Sequence, residues 1–232
     1  MDKRSQLDST VTQTNAAYYA LHDEILTCRM PPGSKINISE AAVKFGLSPG
    51  AVREALSRLA AERLTVATAQ KGYSVAAVSS DELKDLTRTR ITIEQLCVRS
   101  AIQHGDVEWE SAIVAAYHRL HRIPETLAKQ QLHMNPAWAA AHTLFHSALA
   151  AGCDSPWLLT LRSMLYAQSE RYRQLSVALA REERDVDAEH KGILNACLAR
   201  KADLAAVLID EHLSRTAEIL LSSPLLQGKR AQ

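Results

Sequence analysis

A mainly α-helical protein of two unequal domains is predicted by three features of the sequence. Its 232 residues include 36 Ala and 30 Leu but only 5% aromatics, a composition rich in helix formers and poor in the side chains that favour sheets. Only 8 Gly and 7 Pro interrupt it. Strand-like β-branched residues are concentrated before residue 79, and long stretches of helical period follow. The boundary is therefore placed there, giving domains at 1–79 and 80–232.

Hydrophobic residues make up 47% and charged residues 23%, the balance of a globular chain with a real core. Net charge is only +1, from 27 basic and 26 acidic side chains, so any nucleic-acid partner must be met by a local surface. No stretch approaches the roughly 18 apolar residues of a membrane span, and Met1 to Gln13 lack the apolar run of a signal peptide. No membrane partner and a cytoplasmic location are expected. Cys28, Cys97, Cys153 and Cys197 form no CxxC pair, which excludes a zinc ribbon and suggests buried thiols.

In the first domain, Ala16 to Met30 reads as a helix ended by Pro31-Pro32-Gly33, and Ser39 to Phe45 as a short helix ended by Gly46. A third helix starts at Ser48, a suitable N-cap, with Pro49 at the first helical position, where its missing N–H costs nothing. Val52, Ala55, Leu56 and Leu59 form its apolar stripe. Leu64 to Ala69 and Tyr73 to Val78 then read as two strands joined around Gln70-Lys71-Gly72. Three helices and a two-stranded wing make a winged helix-turn-helix, whose third helix enters the DNA major groove. Ser48, Gly50, Ala51 and Arg53 occupy the front of that helix, and Lys71 and Gly72 the wing tip, so these six are the candidate DNA contacts. Arg53 has an alternative role in a surface ion pair with Glu54 or Glu24.

The second domain reads as helices over Asp81 to His104, Val107 to His121, Pro136 to Ala151, Pro156 to Ala178, Glu182 to Arg200 and Ala202 to Ser222. A loose connection carries Pro124 and Asn135-Pro136. Asp154-Ser155-Pro156 repeats the cap-then-proline entry, and the whole is an antiparallel helical bundle.

Four of the nine histidines fall on apolar faces. His142 is in step with Trp138, Phe145 and Leu149, and His146 lies one turn on. His190 shares a face with Val186, Ile193, Leu194 and Cys197, and His212 with Leu208 and Ile219. Neutral imidazoles converging on one point suit a divalent transition metal, zinc or nickel before magnesium or calcium. A single inward histidine is more often a hydrogen-bonded core residue, so both readings stay open. HExxH and the paired Glu-x-x-His motifs of di-iron bundles are absent, and no enzyme is expected. A metal-dependent enzyme fused to a DNA-binding domain is the weaker alternative.

Arg90 falls in the seam of Leu83, Leu86, Ile93, Cys97 and Ala101, where a guanidinium should not sit alone. Either Glu94, one turn on, neutralises it, or it holds a carboxylate ligand through two parallel hydrogen bonds.

From Ile25 to Val78, through Met30-Pro31-Pro32-Gly33-Ser34-Lys35-Ile36 and Leu47-Ser48-Pro49-Gly50-Ala51-Val52-Arg53-Glu54-Ala55-Leu56-Ser57-Arg58-Leu59, the chain resembles the GntR family of bacterial transcription regulators. Pro49 stands where members commonly have a basic residue. Ser80 to Ser222 resembles the FCD effector-binding domain of the FadR subfamily, at Arg90-Ile91-Thr92-Ile93-Glu94, Phe145-His146, Glu189-His190-Lys191-Gly192-Ile193-Leu194 and Glu211-His212-Leu213. The resemblance implies an operator-binding homodimer, a small-organic-acid effector and a metal held by an aspartate and three histidines. His142 occupies the aspartate position, which leaves four neutral ligands and a more positive site. Ile93 to Cys97 and Gly105 to Glu110 also look like regulators associated with glutarate and γ-aminobutyrate catabolism. The function this implies is a ligand-responsive regulator, a repressor released by an acid such as the dicarboxylate glutarate, bound beside the metal. A regulator that senses the metal itself is the alternative.

Overall fold

The computed structural model describes residues 3–127, 130–177, 184–223 and 226. It divides into two compact units, Met1–Val78 and Ser79–Gln232. In the first, α1 (Lys3–Leu26), α2 (Ile38–Phe45) and α3 (Pro49–Ala61) surround a core that includes Leu21, Val52, Leu56, Leu59 and Leu64, all fully buried. Each such side chain contributes about 1.5–3 kcal/mol by leaving water.

The capping logic of the sequence is visible in the backbone. Asn37 accepts the Ser39 and Glu40 N–H groups at the head of α2, and Gly46, at φ 66°, closes it in the left-handed conformation. Ser48 Oγ accepts the Ala51 N–H at 3.2 Å, and Pro49 opens α3. Helix α1 differs from expectation at both ends. It begins at Lys3 and stops at Leu26 rather than running from Ala16 to Met30, because Cys28 turns left-handed at φ 56° and the Met30 N–H bonds back to the Glu24 carbonyl.

The wing has one strand more than the sequence suggests. Strands β2 (Thr65–Thr68) and β3 (Gly72–Val75) pair antiparallel, and β1 (Lys35–Ile36) adds to the other side of β3, giving the order β1-β3-β2. Lys35 lies opposite Ser74 and Thr68 opposite Gly72. At the hairpin tip Gln70 and Gly72 both take positive φ, 63° and 84°.

The second unit holds α4 (Ser80–His104), α5 (Val107–His121), α6 (Pro136–Ala150), α7 (Pro156–Val177), α8 (Val186–Leu198) and α9 (Ala202–Leu221). Helix α4 packs against α7 and α9, α5 against α6 and α8, and α8 against α9. Cys97, Ala101, Ile113, Phe145, Ile193 and Cys197 fill the centre. Between α5 and α6 the connection expected to be loose forms a small antiparallel hairpin, β4 (Thr126–Leu127) with β5 (Gln130–Met134). Helix α8 begins at Val186 with Asp185 as its cap. Glu182 and Glu183, expected to open it, lie outside the described residues, as does Ala178, the expected end of α7. Among the described residues no helix is long and apolar enough to cross a membrane.

Candidate metal and effector site

Helix α6 carries His142 and His146 one turn apart, α8 supplies His190 and α9 supplies His212. All four side chains are buried, and their candidate ligand atoms lie within 4.8 Å of one another. Ring centroids are 4.4 Å apart for His142 and His146 and 4.7 Å for His190 and His212. Burial lowers the basicity of all four, well below the usual histidine range for His142, His146 and His190. The positive charge of Arg173 pushes His142 the same way, and no two of the neighbouring rings can readily be charged together. The rings are therefore neutral, as metal ligands must be. His146 Nε2 and His190 Nε2 are buried without a hydrogen-bond partner, an arrangement that costs about 1–3 kcal/mol per atom unless something is bound there. Nitrogen ligands, neutrality, convergence and two ring nitrogens without a hydrogen-bond partner fit a divalent transition metal.

A cavity of about 50 Å³ opens beside the histidines, lined in part by His142, His212, Trp138, Arg90, Arg173 and Arg184. Arg90 donates to Ser169 Oγ at 2.7 Å and stacks its guanidinium over Tyr166, 4.8 Å from the ring centre. Its contact with Glu94 is long, 3.5 Å. Glu94 instead accepts Arg162 Nε at 2.7 Å, while Arg162 also donates to the His146 carbonyl. Arg173 is held by Glu170 and lies over Trp138. Arg184 is held by Glu189 and donates to the His212 carbonyl at 2.9 Å. Four buried or nearly buried guanidiniums, of Arg90, Arg162, Arg173 and Arg184, thus face three carboxylates, of Glu94, Glu170 and Glu189. Burial raises the pKa of a further cavity carboxylate, Glu125, against the pull of Arg184 and Arg173. Arg90, Arg173 and Arg184 line the cavity together with Glu125, and their guanidiniums offer several cationic donors to an anion.

In the first unit, the front of α3 and the tip of the wing are exposed at Ser48, Gly50, Arg53, Lys71 and Gly72. Ala51 is different. Its methyl is 1% exposed and packs with Val52 and Ala55, so it offers no side chain to DNA, contrary to the expectation from its place in the first turn. Arg53 forms no ion pair among the described residues: Glu24 is engaged by Arg29 and Lys44, and Glu54 accepts from Thr14.

Residues 13–75 match the family model of bacterial regulatory proteins of the gntR family, and residues 85–215 match the FCD domain. The chain belongs to the GntR family of DNA-binding transcription regulators. It is 35% identical over 212 residues to the uncharacterized regulator BphR of Paraburkholderia xenovorans, covering 91% of this chain and 86% of that one. It is also 35% identical over 211 residues to the transcriptional repressor GlaR of Escherichia coli, covering 88% and 93%. Among solved structures, McbR/YncC of E. coli superposes with a TM-score of 0.73 over 90% of this chain and 96% of that one at 18% identity, a likeness of fold. These relatives and both domains belong to regulators and not to enzymes, which removes the fused-enzyme alternative.

Several residues of this GntR regulator's site escaped the sequence reading. Arg162, Tyr166, Ser169 and Arg173 of α7 recur every three to four residues, the period of one helix face. That period was the available signal, but arginines on such a face ordinarily read as solvated. Glu189 and Arg184, which meet His212, carry no pattern of their own.

Proposed function

We propose that this GntR regulator is a repressor whose FCD domain holds a divalent transition metal, zinc or nickel, through His142, His146, His190 and His212, and that leaves its operator when a small organic acid binds in the adjoining cavity. The observation that carries this reading is the conjunction of unsatisfied buried imidazole nitrogens with an arginine-lined chamber that shares His142 and His212. The metal would supply a Lewis-acidic point for one carboxylate. Arg90, with Arg173 and Arg184, receives the second carboxylate of a dicarboxylate such as glutarate. Ser48, Gly50, Arg53, Lys71 and Gly72 meet the operator, Arg53 at a base edge or phosphate and the glycines by close backbone approach. A palindromic operator is read by a homodimer. An acid that binds better to the state of lower operator affinity necessarily lowers operator affinity, because the coupling is reciprocal. GlaR, a relative named as a repressor, supports the sign of regulation.

Footprinting of the zinc-loaded protein on DNA upstream of its own gene, with and without glutarate and related acids, tests the reading. A protected palindrome released by acid, with His146→Ala losing both bound zinc and release, is expected. No protected site would overturn it. Operator affinity that follows zinc alone and ignores every acid would establish the metal-sensing alternative.

A further inference from the structure

Two of the four histidines have hydrogen-bond partners that dictate which ring nitrogen carries the proton. Thr143 donates its hydroxyl proton to the Ala139 carbonyl at 3.0 Å, and Tyr166 donates its own to Thr143 Oγ1 at 3.1 Å. A phenol has one proton to give. Tyr166 Oη, 3.3 Å from His142 Nδ1, can therefore only accept, so His142 carries its proton on Nδ1. On the other side of the cluster, His212 Nδ1 lies 2.7 Å from Glu189 Oε2. Glu189 is itself gripped by Arg184 and Arg215, and a carboxylate so held is an acceptor only. His212 is likewise protonated on Nδ1, since Arg184 Nη2, 3.3 Å from the same nitrogen, already gives its two protons to Glu189 and to the His212 carbonyl. In both rings Nε2 is left with its lone pair.

We infer that Tyr166 and Glu189 are positioning residues of the histidine centre, fixing His142 and His212 as Nε2 donors from outside the ligand ring. The inference rests on the metal reading above and goes beyond it to residues that touch no metal. Hydrogen bonds of this kind orient a ligand ring and raise its basicity. Glu189 has a second effect. With a histidine at position 142 the ring of four contains no anion, and Glu189 brings a negative charge into direct contact with one of its rings.

Zinc binding by competition with a chromophoric chelator, and the nitrogen-15 shifts of the histidine rings in metal-free protein, test this. Tyr166→Phe keeps the ring that Arg90 and Arg162 stack on and removes the hydroxyl, which is both the acceptor facing His142 and the donor to Thr143. Glu189→Gln keeps an acceptor and removes the charge, and Glu189→Ala removes both. Zinc affinity is expected to fall roughly 10- to 100-fold in Tyr166→Phe and Glu189→Ala, with Glu189→Gln between Glu189→Ala and the parent. In the parent both rings should show Nδ1 protonated and Nε2 bare. His142 alone should lose that signature in Tyr166→Phe, and His212 alone in Glu189→Ala. Unchanged zinc affinity in both variants, or an Nε2-protonated His142 or His212 in the parent, would overturn the inference. A parent that binds neither zinc nor nickel, yet shows the stated ring protonation, would overturn the metal reading itself and this role with it.

Discussion

Glu94 is divided unequally between two buried arginines, 2.7 Å from Arg162 Nε and 3.5 Å from Arg90. The tighter partner uses the carboxylate's charge, and the looser one turns toward the cavity. Removing the two arginines should therefore have different consequences. Arg90→Leu leaves Glu94 paired and is expected to keep fold, zinc and operator binding while losing the response to acid. Arg162→Leu strips Glu94 of its close partner and also frees the His146 carbonyl, and a buried charge left so costs about 3–5 kcal/mol. Urea unfolding of the two variants, set beside operator release by glutarate, separates them. Equal stability loss, or normal release in Arg90→Leu, would refute the division of roles.

What could be read beforehand was local, and what could not was a matter of partners. Ser48-Pro49 announces a helix start wherever it occurs, because the cap and the first turn satisfy each other within four residues. A two-residue strand such as β1 has no alternation to reveal it and exists only because β3 offers an edge. The four inward histidines were legible from their apolar registers, but their protonation depends on Tyr166 and Glu189, whose positions are set by packing between helices. Arg162 and Arg173 mislead for the same reason: charge predicts exposure until the opposing carboxylates are seen. Ala51 failed in the other direction, since a place in the first turn does not say which way a methyl points.

On the DNA-binding face, Ser48, Arg53 and Lys71 should separate into three behaviours. Ser48→Ala removes the cap bond to Ala51 and is expected to cost about 1 kcal/mol of stability. Arg53→Ala should weaken operator binding by about 1–3 kcal/mol and relax preference at one position of the half-site. Lys71→Ala should weaken all sequences alike and reduce the slope of log affinity against log salt by about 1. Anisotropy titrations against operator and scrambled duplexes at several salt concentrations measure all three. A uniform loss in Arg53→Ala would assign it to phosphate instead.

Glu24 gives the first domain a pH dependence of known sign. Burial raises the pKa of its carboxyl, but hydrogen bonds from Lys44 and Arg29 outweigh that and hold it below the ordinary value. A folded pKa below the unfolded one means stabilisation that is complete above the unfolded value and disappears as pH falls through the folded one. Because both partners are half exposed, Glu24→Gln should cost only about 1 kcal/mol at pH 7. The gap between parent and variant should narrow from about pH 5 toward pH 3. Thermal melts of both proteins across that range check it, and a gap that widens on acidification would show the carboxylate to be stabilised by something other than these cations.

Dimerisation should depend on α7. Trp157, Leu161 and Met164 follow one another at helical spacing and are 78%, 41% and 59% exposed, while Thr160 and Ser163 beside them are uncharged. Large exposed apolar side chains grouped without charge mark an association surface, and the same face on a second copy can pair with it about a twofold axis. A carboxylate placed at position 157 would be met by its own copy across that axis, desolvated and unpaired. Trp157→Glu is therefore expected to raise the dimer dissociation constant 100-fold or more, with helix content and zinc stoichiometry unchanged. Binding to a full palindrome should weaken accordingly, while binding to a single half-site should not. Analytical ultracentrifugation at micromolar concentration decides the matter: a variant that sediments as a dimer would exclude this face and direct attention to Leu96, Leu204 and Val207, the exposed apolar residues of α4 and α9.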